Sequence, residues 1–204
     1  MNAGKLSRDD RLLNRKDGSS SAYSTCYTIL IERIMRLGLQ ETESNNGNST
    51  IMVLAAIPML LSAFRSFAIE NIHTNLLEDD LLMNELKGAG EIQKILDHYQ
   101  ITGQLRQDMF DLQEIRNEII HPIPKATGTK DNWPDYLRRI KRMGLLDETG
   151  RAGSHFDTLY QVCSLRLFRW AAGVVASAVQ FIDKTSPELQ PLSLAKNFTI
   201  LTSI

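Results

Sequence analysis

Residues 116–122, RNEIIHP, place an arginine, an asparagine and a histidine within one short segment. Catalytic sites use arginine to stabilise developing negative charge and histidine to transfer protons. The same side chains also occur at the ends of ordinary helices. The segment is therefore either half of a catalytic site or a charged helix terminus, and its place on the helix bears on that choice.

The segment lies at the end of a helix predicted over residues 105–121. At about 100° per residue, one side of this helix is an apolar arc formed by Leu105, Met109, Leu112, Ile115 and Ile119. Arg116 falls within that arc, where an unpaired charge would be costly. Asn117 and His121 are neighbours four residues apart on a different face, which they share with Phe110.

An ordinary structural role accounts for the same residues. Arg116 can extend along its aliphatic stem to reach a carboxylate. Asn117 can face solvent. His121 can interact with the dipole of the helix end, since Pro122 ends the helix. The residues alone leave both interpretations open.

The rest of the chain is patterned as helices, which predicts an all-α fold. Apolar residues recur at helical spacing over residues 22–40, 51–77 and 156–183, with shorter helices between them. Alternation typical of a strand occurs only in FTILTSI at the end of the sequence. We predict a flexible tail over residues 1–21, a single all-α domain over 22–184 with an insertion at 123–155, and a C-terminal tail over 185–204.

Composition and spacing exclude several classes of function. A net charge of −1 gives no global basic field for nucleic acid. Two cysteines, Cys26 and Cys163, have no metal spacing and favour a reduced cytoplasmic compartment. The apolar run at 51–64 is shorter than the roughly 20 residues that cross a membrane, so no membrane is expected. The segment KGAGE lacks the lysine and serine of a phosphate-binding loop. We expect no metal and no cofactor.

The segment RNEIIHP matches the R-x4-6-H signature of the HEPN superfamily, which is commonly written R-N-x-x-x-H. The sequence also resembles that family over about residues 50–184. HEPN domains carry the motif near the end of the third main helix and have a long last helix, here containing LFRWAAGVV. The resemblance implies an up-down bundle of about four main helices, with extra short helices and a long insertion before the last helix.

The resemblance further implies a metal-independent endoribonuclease that cleaves RNA through attack by the 2′-hydroxyl. His121 would be the general acid or base, Arg116 would neutralise charge on the phosphorane, and Asn117 would position the phosphate or the partner motif. One motif per chain implies a homodimer with the two motifs facing each other. A toxin or antiphage effector of this kind would act with a cognate antitoxin or regulator. Glu70 is the nearest match to an acidic residue of the family's first long helix.

The insertion adds candidate RNA-binding residues, namely Lys125, Lys130, Arg138, Arg139 and Arg142. They can guide an RNA backbone towards His121, or they can be a solvated helix face. His155 is either a second histidine of the active site or a helix-start residue capped by Ser154. A second class of function stays open, in which a non-catalytic HEPN-like bundle binds a partner protein or a nucleotide.

Overall fold

The computed structural model describes residues 23–43, 49–75, 90–121, 134–146, 164–185 and 195–204. These ranges contain seven helices and no strand, which confirms the all-α prediction. The helices are α1 (Tyr23–Glu43), α2 (Ser49–Asn75), α3 (Glu91–His98), α4 (Gly103–Ile120), α5 (Asp135–Arg142), α6 (Leu165–Thr185) and α7 (Ala195–Leu201). The N-terminal tail predicted over residues 1–21 lies outside the described residues.

Helix α2 lies at the centre of the bundle and contacts α1, α6 and α4. Its apolar residues face the core on most sides, because an almost uncharged helix has little to present to water. Helical spacing predicts that Ile57, Leu61, Phe64, Ala68 and Ile72 line one side of this helix. The first four are buried, and the side chain of Ile72 lies outside the described part of the structure. Pro58 lies inside α2, and the hydroxyl of Ser62 donates to its carbonyl oxygen at 3.0 Å.

The last long helix, α6, buries a different stripe from the one that helical spacing predicts, which consists of Leu159, Cys163, Leu167, Trp170, Val174, Ala178 and Phe181. Leu167, Val174 and Ala178 are buried as expected, but Phe181 is 38% exposed. Val175, Val179 and Ile182 are buried instead, so the buried face is centred about one residue further along the chain. The predicted start near residue 156 lies outside the described residues.

The prediction of a C-terminal tail from residue 185 is wrong for residues 195–204. Phe198 is only 1% exposed and meets Phe67 of α2 edge-on, with ring centroids 5.8 Å apart. The Arg169 guanidinium donates to the carbonyl oxygen of Ile204 at 3.0 Å. The buried residues 198, 201 and 204 recur every three positions, a helical spacing that is easily mistaken for alternation in so short a segment.

Within the described ranges, two helices are long and apolar enough to cross a membrane by length and composition alone. They are Met52–Asn71, with a mean hydropathy of 1.9, and Leu165–Thr185, with a mean hydropathy of 1.3. About half of each segment is buried inside the protein (50% and 56%), as in core helices of a soluble bundle. These two helices are therefore weak indications of membrane spans.

Candidate functional site

The predicted helix end at the motif is confirmed, because α4 ends at Ile120 and His121 follows as its C-cap residue. The backbone N–H of His121 donates to the carbonyl oxygen of Asn117 at 2.8 Å, which closes the last turn. The side chain of His121 is exposed. Residues 122–133, including the proline after the motif, lie outside the described residues.

Arg116 and Asn117 contact each other through their side chains. The Arg116 Nη1 donates to Asn117 Oδ1 at 3.1 Å, and both side chains are half-buried. No carboxylate in the described ranges lies within ion-pair distance of Arg116. The alternative that Arg116 reaches a carboxylate and Asn117 faces solvent therefore finds no support in these ranges.

Arg116 and Asn117 line a groove between α2, the start of α3 and α4. The groove has a volume of about 290 Å³ and is open to solvent on one side. Its polar lining residues are Ser62, Arg65, Glu91, Gln113, Arg116 and Asn117. Among the described residues that line the groove, two are arginines and one is a glutamate, which makes the groove a candidate site for an anionic ligand.

His121 does not line this groove but continues the same stripe of α4. Gln113, Asn117 and His121 are spaced four residues apart, so each lies about 6 Å beyond the last along the helix axis. A ligand that entered the groove and extended past Asn117 towards the end of α4 would reach the exposed imidazole. The groove and His121 can therefore form one continuous site on the surface.

Sequence reasoning missed two charged residues of this groove, Arg65 and Glu91. Arg65 Nε lies 2.5 Å from Glu91 Oε1, which links α2 to the start of α3. A signal for Arg65 was present, because it is the one charged residue among residues 49–69. Glu91 is the last residue of the segment KGAGE, directly after its two glycines. Nothing in the sequence connects Glu91 with the motif.

Glu70, the predicted accessory carboxylate, does not line the groove. It is half-buried on α2, and it takes part in an interaction of its own. Among the described residues that line the groove, the carboxylate is that of Glu91 of α3, which pairs with Arg65. His155, the predicted second histidine, lies outside the described residues.

Arg139, which was predicted to contact RNA, has a partner within the chain, because its guanidinium is engaged by Asp111 of α4. Arg139 Nε donates to Asp111 Oδ2 at 2.8 Å, and Arg139 Nη2 also contacts Oδ1. The Asp111 side chain is only 2% exposed. The hydrogen bond with Asp111 raises the pKa of Arg139. Arg139 therefore anchors α5 to α4, which sequence spacing alone could not show.

The other basic candidates differ in their surroundings. Arg138 is exposed and pairs with Asp135 at 2.5 Å, and Arg142 is exposed. Lys125 and Lys130 lie outside the described residues. Of the described candidates in the insertion, Arg138 and Arg142 thus lie on the outer surface of α5, where an RNA backbone has access.

Phe110, which shares a predicted face with Asn117 and His121 and would lie with them at the axis of a dimer, is half-buried within the chain. Its ring packs partly against the core, and the Arg106 guanidinium lies 5.0 Å from the ring centroid. Arg106 is held there by Asp97, at 2.7 Å. Ile120, which is 40% exposed beside His121, offers a more accessible apolar contact.

No family model matches the chain, and neither a curated protein nor a solved structure matches it. Within the described ranges, no group of three His, Cys, Asp or Glu side chains is placed to hold a metal ion. The candidate site is thus defined by the motif and by the side chains that surround it.

Proposed function

We propose that this protein is an endoribonuclease of the HEPN type. One observation carries the proposal: Arg116 and Asn117 line an open groove, and the exposed His121 lies one turn further along the same helix. This arrangement supplies a cation for a phosphate and a proton-transfer group beside it. We propose a toxin or antiphage role in the cytoplasm, with a cognate antitoxin or regulator as partner.

The proposed reaction needs only the RNA and the side chains of the site. The 2′-oxygen attacks phosphorus, a new P–O2′ bond forms, and the bond from phosphorus to the 5′-oxygen breaks. A base accepts the proton of the 2′-hydroxyl, and an acid returns a proton to the leaving 5′-oxygen. Arg116 stabilises the negative charge that builds up on the phosphorane. The products are a 2′,3′-cyclic phosphate and a 5′-hydroxyl.

The balance of protons supports a homodimer. One step removes a proton and the other adds one, so two groups in opposite protonation states serve the reaction best. Each chain brings a single motif with one histidine, His121. A two-fold axis beside the end of α4 would bring two such histidines to one phosphate. The homodimer with facing motifs is therefore part of the proposal.

Ile120→Glu tests this dimer. Two like charges would then face each other across the axis, and we expect dimer affinity to fall by at least about tenfold, with cleavage falling in parallel. Sedimentation or light scattering, run beside a cleavage assay over a range of protein concentrations, measures both quantities. Ile29→Glu is the matched control, since Ile29 is similarly exposed on α1. A fully active wild-type monomer at assay concentration would contradict the dimer.

Cleavage is expected to persist in EDTA, because the proposed acid, base and charge-stabilising groups are all side chains. Purified protein should be incubated with total RNA or tRNA in EDTA, and the ends of the products identified by mass spectrometry. We expect a cyclic phosphate or its hydrolysis product. Loss of cleavage in EDTA that magnesium or manganese restores would point to a different mechanism.

A second candidate function is a non-catalytic bundle that binds a partner protein or a nucleotide. It is favoured by the hydrogen bond between Arg116 and Asn117, since side chains that serve structure are paired in this way. The cleavage assay separates the two candidates. A binding protein would leave RNA intact at every protein concentration, whereas a nuclease would produce fragments whose yield depends on His121.

A further inference from the structure

Arg65 occupies an unusual position for a charged residue. It projects from α2, whose first 21 residues contain no other charge, and its side chain is 44% exposed at the groove. An arginine of such exposure keeps much of its hydration, so its ion pair contributes little to folding. Replacing the contact between Arg65 and Glu91 with a contact to a ligand therefore costs little free energy.

The pairing of Arg65 with Glu91 uses only part of each group. The shortest contact between Arg65 and Glu91 is made by Nε and not by either terminal nitrogen of the guanidinium. The Glu91 Oε1 is fully buried and has no aligned donor there, although Arg65 Nε is 2.5 Å away. A buried carboxylate oxygen without a hydrogen bond is unfavourable. The Glu91 carboxylate thus lies where a phosphate could bind Arg65, but it makes fewer hydrogen bonds there than a phosphate would make.

The position of the groove relative to His121 indicates which phosphate it would hold. On α4 the groove is lined by Gln113, Arg116 and Asn117 and so extends from Arg116 away from His121. The scissile phosphate must lie between Arg116 and His121. The neighbouring nucleotide of the RNA would then lie in the part of the groove beyond Arg116.

We propose that Arg65 binds the phosphate next to the scissile one in the RNA backbone, and that Glu91 holds Arg65 in the free protein and competes with that phosphate. This inference rests on the proposed nuclease function. It assigns to Arg65 the role of a substrate-binding residue and to Glu91 that of a competitor for the same cation. Arg116 is shared between the two phosphates.

The test measures binding of a 2′-O-methyl RNA oligonucleotide, which has no nucleophile and cannot be cleaved. Fluorescence anisotropy over a series of salt concentrations gives both the affinity and its salt dependence for the wild type, Arg65→Gln and Glu91→Gln. Arg36→Gln is the matched control, because Arg36 also pairs with a glutamate, Glu32, but lies on α1.

Arg65→Gln is expected to weaken binding by about five- to tenfold and to reduce the slope of log affinity against log salt by about 0.7, the contribution of one phosphate contact. Glu91→Gln is expected to strengthen binding about threefold, because it removes a competing charge. Arg36→Gln should change neither quantity. Opposite signs for the two groove variants are not expected of a merely structural ion pair.

Three outcomes would overturn the inference. They are an unchanged affinity and salt slope in Arg65→Gln, equal effects of Arg65→Gln and Arg36→Gln, and weaker binding in Glu91→Gln. If Arg65→Gln does not fold, the sign of the Glu91→Gln effect decides alone. If the wild type cleaves RNA but Arg65→Gln changes neither the affinity nor its salt dependence, only this inference fails. If the wild type cleaves no RNA under any condition, the proposed function fails, whatever the binding data show.

Discussion

His121→Ala is expected to reduce RNA cleavage by at least about a hundredfold, the scale of a lost proton-transfer group. Arg116→Ala should cause a loss of similar size, because the phosphorane would lose its cation. The His121 ring is exposed at the end of α4, so its removal should cost only about 0.3–1 kcal/mol of stability. The initial rate of cleavage of a labelled RNA and the midpoint of thermal unfolding measure the two effects separately.

His98→Ala is the matched control for this experiment. His98 also lies at the end of a helix and is exposed, but it belongs to α3 and does not line the groove. Partial burial of its ring lowers the pKa of His98. Its removal should leave cleavage unchanged. Full activity in His121→Ala, or an equal loss in His98→Ala, would show that the site has been assigned wrongly.

Arg139→Ala should destabilise the fold by about 2–4 kcal/mol, because it leaves the buried Asp111 carboxylate without its cation. The range extends down to about 2 kcal/mol because the Arg139 side chain is itself 36% exposed, and water weakens the ion pair. Urea unfolding followed by circular dichroism measures the change in free energy. The cleavage rate per folded molecule should change much less, since Arg139 does not line the groove.

Arg138→Ala is the control for this prediction and removes the same charge from the adjacent position. Its pair with Asp135 is exposed, so a much smaller loss of stability than in Arg139→Ala is expected. The double variant Asp111→Ala with Arg139→Ala should regain part of the stability lost in Arg139→Ala, because no buried charge is then left unpaired. Equal losses in Arg138→Ala and Arg139→Ala would contradict the anchoring role of Arg139.

The spacing of apolar residues predicted which face of a helix is buried where the pattern is regular over several turns. On α4, Met109, Leu112 and Ile115 are fully buried, and the helix ends where Pro122 required it to end. These features depend on neighbours within one helix, which spacing encodes. The same reasoning failed at Phe198, because a segment of seven residues is too short to separate a helical from an alternating pattern.

The candidate site was predictable only where its residues are close in sequence. Arg116, Asn117 and His121 share one motif, so they could be grouped before the fold was known. Arg65 lies 51 positions before Arg116 in the sequence, and only the packing of α2 against α4 brings the two into one groove. The role of Arg139 in anchoring α5 could not be predicted for the same reason, since its buried partner is 28 residues away.

The central claim is that the 2′-hydroxyl of RNA is the nucleophile in a reaction carried out by side chains alone. It is tested most directly with an RNA oligonucleotide whose cleavage position has been mapped, and with a copy that has a single 2′-deoxy nucleotide immediately before that position. Both are incubated with the purified protein in EDTA. We expect the RNA to be cut to a 2′,3′-cyclic phosphate and the substituted copy to stay intact at that position. Cleavage of both substrates at the same bond would contradict the claim.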